Sequence, residues 1–204
     1  MQRGPDHQQP GHGAGEVAID RTRRTALATA AVALLAGAIP PLAAAPEHME
    51  LTALDITRDE DGVYLSYAVE FELSHAVEDA LNRSVPLYFV AEVQIYRDRW
   101  YWRDRRLTHT TRVWKIVFQP LTSTYRVTTV GGLSQNYPTR EEAIVAISRS
   151  SRWKIAEAGQ LDDGHHYLEF NYRLDINLLP RPMQIGISGQ PDWQLSVKRT
   201  QRIN

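Results

Sequence analysis

The chain of 204 residues contains no cysteine. Disulfides are therefore unavailable, and so is a lipid anchor attached to a cysteine after a leader. The fold has to be held by burial alone. An excess of charge is missing too: 23 Lys and Arg stand against 24 Asp and Glu. That balance argues against bulk nucleic-acid binding, so no nucleic-acid partner is expected. Nor is there a long apolar run. The longest, residues 25–39, is about 15 residues where a membrane-spanning helix needs about 20, and it is mostly alanine. Catalytic signatures are absent as well. Residues 186–189 lack the Gly-x-Ser-x-Gly spacing of a nucleophile elbow, and Gly131-Gly132 is followed by no P-loop lysine. No enzyme, cofactor or metal site is expected.

What is present begins with a leader. Arg21, Arg23 and Arg24 precede the apolar run, and Ala43, Ala44 and Ala45 follow it. A positive cluster, an apolar stretch and a small-residue tail read as a secretory signal. Pro46 would hinder a cut directly before it, which favours the bond after Ala44. Arg23-Arg24 also has a twin-arginine look, so general secretory and twin-arginine export both stay open. The expected organisation is a signal peptide with a long n-region over residues 1–45 and a single domain over 46–204. Without the leader, 19 basic and 21 acidic residues remain. The domain of about 160 residues is long enough for a real core. A cysteine-free exported domain suits the periplasm of a Gram-negative bacterium.

Within the domain the main signal is alternation, which on a strand separates a greasy face from a wet one. Val63, Leu65, Tyr67, Val69, Phe71 and Leu73 fall on one side of residues 63–73. Leu168, Phe170, Tyr172, Leu174 and Ile176 do the same over 166–176. Further strands are expected at 49–58, 87–97, 107–118, 125–130, 133–137, 153–158, 183–188 and 193–199, with an Asp-Gly hairpin turn at 59–62. Two short helices interrupt them. Ser74 caps one over 75–82, and Thr139 with Glu142 begins another whose core face holds Ala143, Ile144 and Ile147. Residues 179–182, Leu-Pro-Arg-Pro, read as a rigid bend between strands. About nine amphipathic strands predict a mainly β, antiparallel two-sheet β-sandwich, immunoglobulin-like, with two short helices. A closed barrel satisfies the same pattern.

The sharpest local feature lies between two strong strands, at a hairpin tip. Arg97, Arg99, Arg103, Arg105 and Arg106 surround Trp100, Tyr101 and Trp102. Indoles suit membrane interfaces, sugars and bases, and guanidinium forks grip phosphate or carboxylate, so these eight residues form the candidate contact surface. The alternative is that the aromatics fold back over the end of the sandwich with arginines stacked on them. His165 and His166 are strand neighbours pointing to opposite faces and cannot chelate one ion, so they read as solvated or edge histidines. The carboxylates of 59–61 and 162–163 lie in turns. Trp114, Trp153 and Trp193 read as packing residues.

Several stretches also carry a resemblance: Arg58-Asp-Glu-Asp-Gly-Val-Tyr-Leu65, Pro86-Leu-Tyr-Phe-Val-Ala-Glu92, Arg99-Trp-Tyr-Trp102, Leu179-Pro-Arg-Pro182 and Asp192-Trp193. In these the chain resembles a proteobacterial family of exported proteins, a domain of unknown function often encoded beside nitrogen-regulation-type sensor kinases. The resemblance implies an envelope partner such as a membrane sensor kinase, and it assigns no site residues. The expected function is a non-catalytic binding or accessory module at the cell envelope. A periplasmic small-ligand or glycan carrier is the alternative, and an enzyme of unfamiliar type comes third. Membrane association is expected only through an uncleaved leader or the aromatic–arginine tip.

Overall fold

A computed structural model describes residues 49–98, 105–162 and 164–203; the expected signal peptide lies outside the described residues. The alternation of the two clearest segments is realised as strands β2 (Gly62–Phe71) and β8 (His166–Leu174). Leu65, Val69, Leu168, Phe170 and Leu174 are buried, and Phe71 is half-buried against them.

β2 is the centre of a three-stranded antiparallel sheet, with β1 (Met49–Asp59) on one side and β7 (Arg149–Glu157) on the other. The β1–β2 turn forms where expected, and the Asp61 N–H donates to Asp59 Oδ1 (3.1 Å). Gly62 ends that turn at φ +155, and a Cβ there would lie 2.3 Å from the Ala156 carbonyl oxygen. Only glycine lets β2 start this close to β7.

The second sheet has six antiparallel strands. Along the chain they are β3 (Leu87–Arg97), β4 (Arg105–Gln119), β5 (Thr124–Thr129), β6 (Ser134–Tyr137), β8 and β9 (Ser196–Ile203). Their order across the sheet is β6-β5-β4-β3-β8-β9. Its inner face packs on the smaller sheet through aromatic rings. Tyr67 sits 4.8 Å from Phe170, and Phe71 stacks at 5.1 Å on Phe89 (centroid distances). Each such ring contributes about 1.5–3 kcal/mol by leaving water. Trp114, Trp153 and Trp193 are buried, as packing residues should be. Among the described residues the two sheets stay separate, and β1 lies beside β9 without pairing to it, so the sheet does not close into a barrel.

Helix α1 (His75–Asn82) starts where Ser74 Oγ accepts from the Val77 N–H, and it buries Val77, Ala80 and Leu81. Helix α2 (Arg140–Ser148) starts where Thr139 Oγ1 accepts from the Glu142 N–H, and it buries Ala143 and Ile147. α2 packs on β5 and β6. An Arg140–Glu78 ion pair ties the two helices together.

Three expectations need correction. Residues 183–188 are not a strand: Arg181–Ile187 is a third helix, α3, with proline in its first turn. Proline's fixed φ and missing N–H suit the start of a helix, so the Leu179-Pro-Arg-Pro182 stretch launches α3 instead of linking strands. The last strand begins at Ser196 because residues 191–193 form a single 3-10 turn that buries Trp193. β8 stops at Leu174, since Asp175 Oδ1 accepts from the Asn177 N–H and turns the chain.

Candidate functional site

The β3–β4 hairpin carries the arginine- and tryptophan-rich stretch. Arg99, Trp100, Tyr101, Trp102 and Arg103 lie outside the described residues. The shoulders, Arg97, Arg105 and Arg106, are described. Arg97 faces Arg105 across the pair and Tyr96 faces Arg106, with a register shift between Ile95 and Tyr96 that leaves Leu107 as an extra residue. Bulges of this kind re-aim side chains near functional ends. Arg105 and Arg106 are exposed.

Two arginines opposite each other repel. The repulsion is offset because Arg97 turns toward β8: its Nη1 lies 2.6 Å from Asp162 Oδ2. Asp162 also accepts from the Gly164 N–H (3.2 Å), and its Oδ1 lies 3.2 Å from His166 Nε2. A Cβ on Gly164 would stand 2.8 Å from Arg97 Nε, so the glycine gives the guanidinium room to lie against the backbone. Desolvation raises the Asp162 carboxyl, but the Gly164 N–H, the Arg97 charge and His166 together outweigh it and hold it below the usual carboxylate range.

For one of the two adjacent histidines the structure departs from expectation. His165 is exposed, but His166 is buried. His166 is in phase with Leu168 and Phe170 and therefore points inward. Its ring is buried, with Asp162 beside it.

On the outer face of the six-stranded sheet the registers align one row of side chains across four strands. Arg106 on β4 is level with Tyr96 on β3, then Tyr167 on β8, then Arg202 on β9. The two tyrosine rings stack at 5.2 Å and 14°. A groove of 340 Å³ opens at this end, lined by Asp98, His165, His166, Tyr167, Arg202 and Ile203. A second groove of 260 Å³ follows along the same face, past Gln94, Glu169, Asn171 and Lys198.

The floor of that face is a network around Glu92. The carboxylate accepts from Arg173 Nη1 (2.7 Å) and Gln94 Nε2 (2.9 Å), and its Oε1 pairs with His109 Nε2 at 2.9 Å. Gln94 in turn accepts from the Tyr96 hydroxyl (2.7 Å) and from Arg106 Nη1 (3.4 Å). Desolvation raises the Glu92 carboxyl, yet the bonds from Arg173, His109 and Gln94 and the Arg173 charge together bring it below the ordinary glutamate value. A continuous chain of contacts thus runs from Arg173 to Tyr96 and Arg106 at the hairpin end. The arrangement presents arginine, tyrosine and carboxylate groups at fixed spacing on one face.

Tyr167 and Arg202 carry no signal of a site in the sequence, and Asp162 and His166 read there only as a turn carboxylate and a solvated or edge histidine. They reach the hairpin end only through the β3–β8–β9 pairing, and the one local signal is that Tyr167 falls on the wet face of an alternating strand.

Residues 46–203 match the family described as a domain of unknown function, DUF4390. The chain belongs to that family. No curated protein and no solved structure matches it. The DUF4390 match covers both sheets, all three helices and the hairpin end, so the site just described lies within the family domain.

Proposed function

We propose that this DUF4390 domain is an exported, non-catalytic binding module of the cell envelope, and that the β3–β4 hairpin end of its six-stranded sheet is the contact. One observation carries the reading. The Arg106–Tyr96–Tyr167–Arg202 row stands where β3 ends and β4 begins, next to the connecting sequence that contains Trp100, Tyr101 and Trp102. Arginine and tyrosine, backed by buried or paired neighbours, are the residue types that anchor protein interfaces. The leader-like stretch before residue 46 supports export, and the periplasmic part of a membrane sensor kinase is the kind of partner we favour.

The test is a pull-down from envelope extract with the protein and with the Trp100→Ala/Trp102→Ala variant, alongside circular dichroism of both. The reading expects the variant to lose its partner with an unchanged spectrum. A variant that keeps the partner contradicts it, and one that unfolds assigns the tryptophans to packing instead.

The grooves at the same end favour a second reading, a carrier of a small ligand or glycan. Native mass spectrometry of protein taken from its cellular compartment separates the two: a retained small mass supports the carrier, and a clean protein mass speaks against it.

A further inference from the structure

β4 is 15 residues long and β5 only 6. β5 covers β4 from Trp114 to Gln119. From Arg105 to Val113, β4 pairs with β3 alone among the described residues. The Val130 N–H donates to the Val113 carbonyl (2.8 Å), which closes the lower end of this bare edge. Backbone groups alternate sides along an antiparallel strand. Thr111 and His109 share the parity of Val113, so their N–H and C=O groups also point away from β3. From Thr108 to Val113 the pairing with β3 runs without a register shift.

Natural proteins blunt open edges with bulges, charge or cover. β7, the neighbouring edge of the other sheet, is blunted: its register with β2 shifts, and Arg152 sits at φ +47. Over Thr108–Val113 the β4 edge is regular instead, its own bulge falling before it at Leu107. Arg112 reaches from it to β7, donating to Ser150 Oγ (2.7 Å), with its guanidinium carbon 4.8 Å from the centre of the Trp153 ring. No described carboxylate pairs with Arg112. The Tyr67 and Thr108 hydroxyl oxygens are buried without a hydrogen-bond partner among the described residues, and Tyr67 lies within the field of Arg112. β4 and β7 together carry seven Lys and Arg and one Glu, in a chain whose net charge is −1.

We propose that the Thr108–Val113 edge of β4 takes an extended acidic segment of another protein as an added strand. Main-chain groups of His109 and Thr111 supply the ladder. A carboxylate on the inward face of the added strand meets Arg112 and gives the stranded hydroxyls a partner. A second copy of this chain is disfavoured as occupant, because like-charged strands would face each other. The inference shares the premise of a binding module but uses a different surface from the hairpin tip.

The test is a nitrogen-15 NMR titration of the full chain with a capped nonapeptide of alternating Glu and Val, and with a Lys–Val control. Saturable shifts are expected at the His109, Thr111, Val113 and Val130 amides, weakening with salt, with no response to the lysine peptide. Thr111→Pro, which removes an N–H that β3 does not use, and Arg112→Gln should each raise the Kd by about tenfold or more. Trp100→Ala/Trp102→Ala should leave it unchanged. If that tip variant keeps peptide binding yet also keeps the envelope partner, the hairpin reading falls and the edge reading stands. The edge reading is overturned by no shifts at millimolar peptide, equal binding of the lysine peptide, shifts centred on β6 or β9, or loss of binding in the tip variant alone. Exchange-protected β4 amides in the free chain, with no peptide response, also overturn it, since the edge would then be filled by the chain itself.

Discussion

Glu92 shows how single residues set this surface. It is the one carboxylate in β3, and it gathers Arg173, His109 and Gln94 on the outer face of the sheet. Its carboxyl is held below the ordinary value, so it contributes stability that is fully present above the pH where a free glutamate titrates, about 4.3. That contribution is lost as pH falls through the lower, folded-state value. Glu92→Gln should therefore cost about 1 kcal/mol at neutral pH, and the gap to the parent should close below about pH 4. Urea unfolding of both proteins at pH 7, 5 and 3 checks this, and a gap that persists undiminished at pH 3 contradicts it. His166 teaches the opposite lesson about legibility. Its phase with Leu168 and Phe170 already marked it as inward, but its polar ring argued for solvent. The carboxylate that accompanies it, Asp162, belongs to a turn whose approach no local pattern reveals.

Elements were most legible where a period of two ran unbroken, as in β2 and β8, and where a cap was spelled out, as at Ser74 and Thr139. They are least legible where proline fits either a bend between strands or the start of a helix. Pro180 and Pro182 stand at the start of α3, a role proline fills as readily as that of a bend. The first residues of β7, Arg149-Ser-Ser-Arg152, carry no alternation, because a register shift interrupts the pairing there and the strand is held by β2. At this scale Ser74 is the clearest handle. Its hydroxyl accepts from the Val77 N–H and donates to the Asp192 carbonyl (2.7 Å), capping α1 and fastening it to the turn that buries Trp193. Ser74→Ala should destabilise the domain by about 1 kcal/mol, read as a lower urea midpoint with an unchanged slope. An unchanged midpoint contradicts the capping role.

As a whole the domain lays three strands over six. The smaller sheet covers the inner face of β3, β4 and β8 through Tyr67, Phe71 and Trp153, while α2 packs on β5 and β6. Among the described residues no strand pairs with the upper β4 edge on the side away from β3, while Arg112 on that edge reaches Ser150 and Trp153 of β7. The two-sheet architecture was readable because nine amphipathic strands need partners. The row from Arg106 to Arg202 was not, because it depends on the register of strands about 100 residues apart in the chain, which loop-closure statistics leave free. The central claim is that the hairpin end is where this protein meets its partner. The most direct measurement is site-specific photo-crosslinking in living cells, with the photoreactive residue at position 101 in the tip or at exposed Leu121 in the β4–β5 turn. The account predicts one discrete crosslinked envelope protein from position 101 and none from position 121. Crosslinks from position 121 with none from position 101 would contradict it.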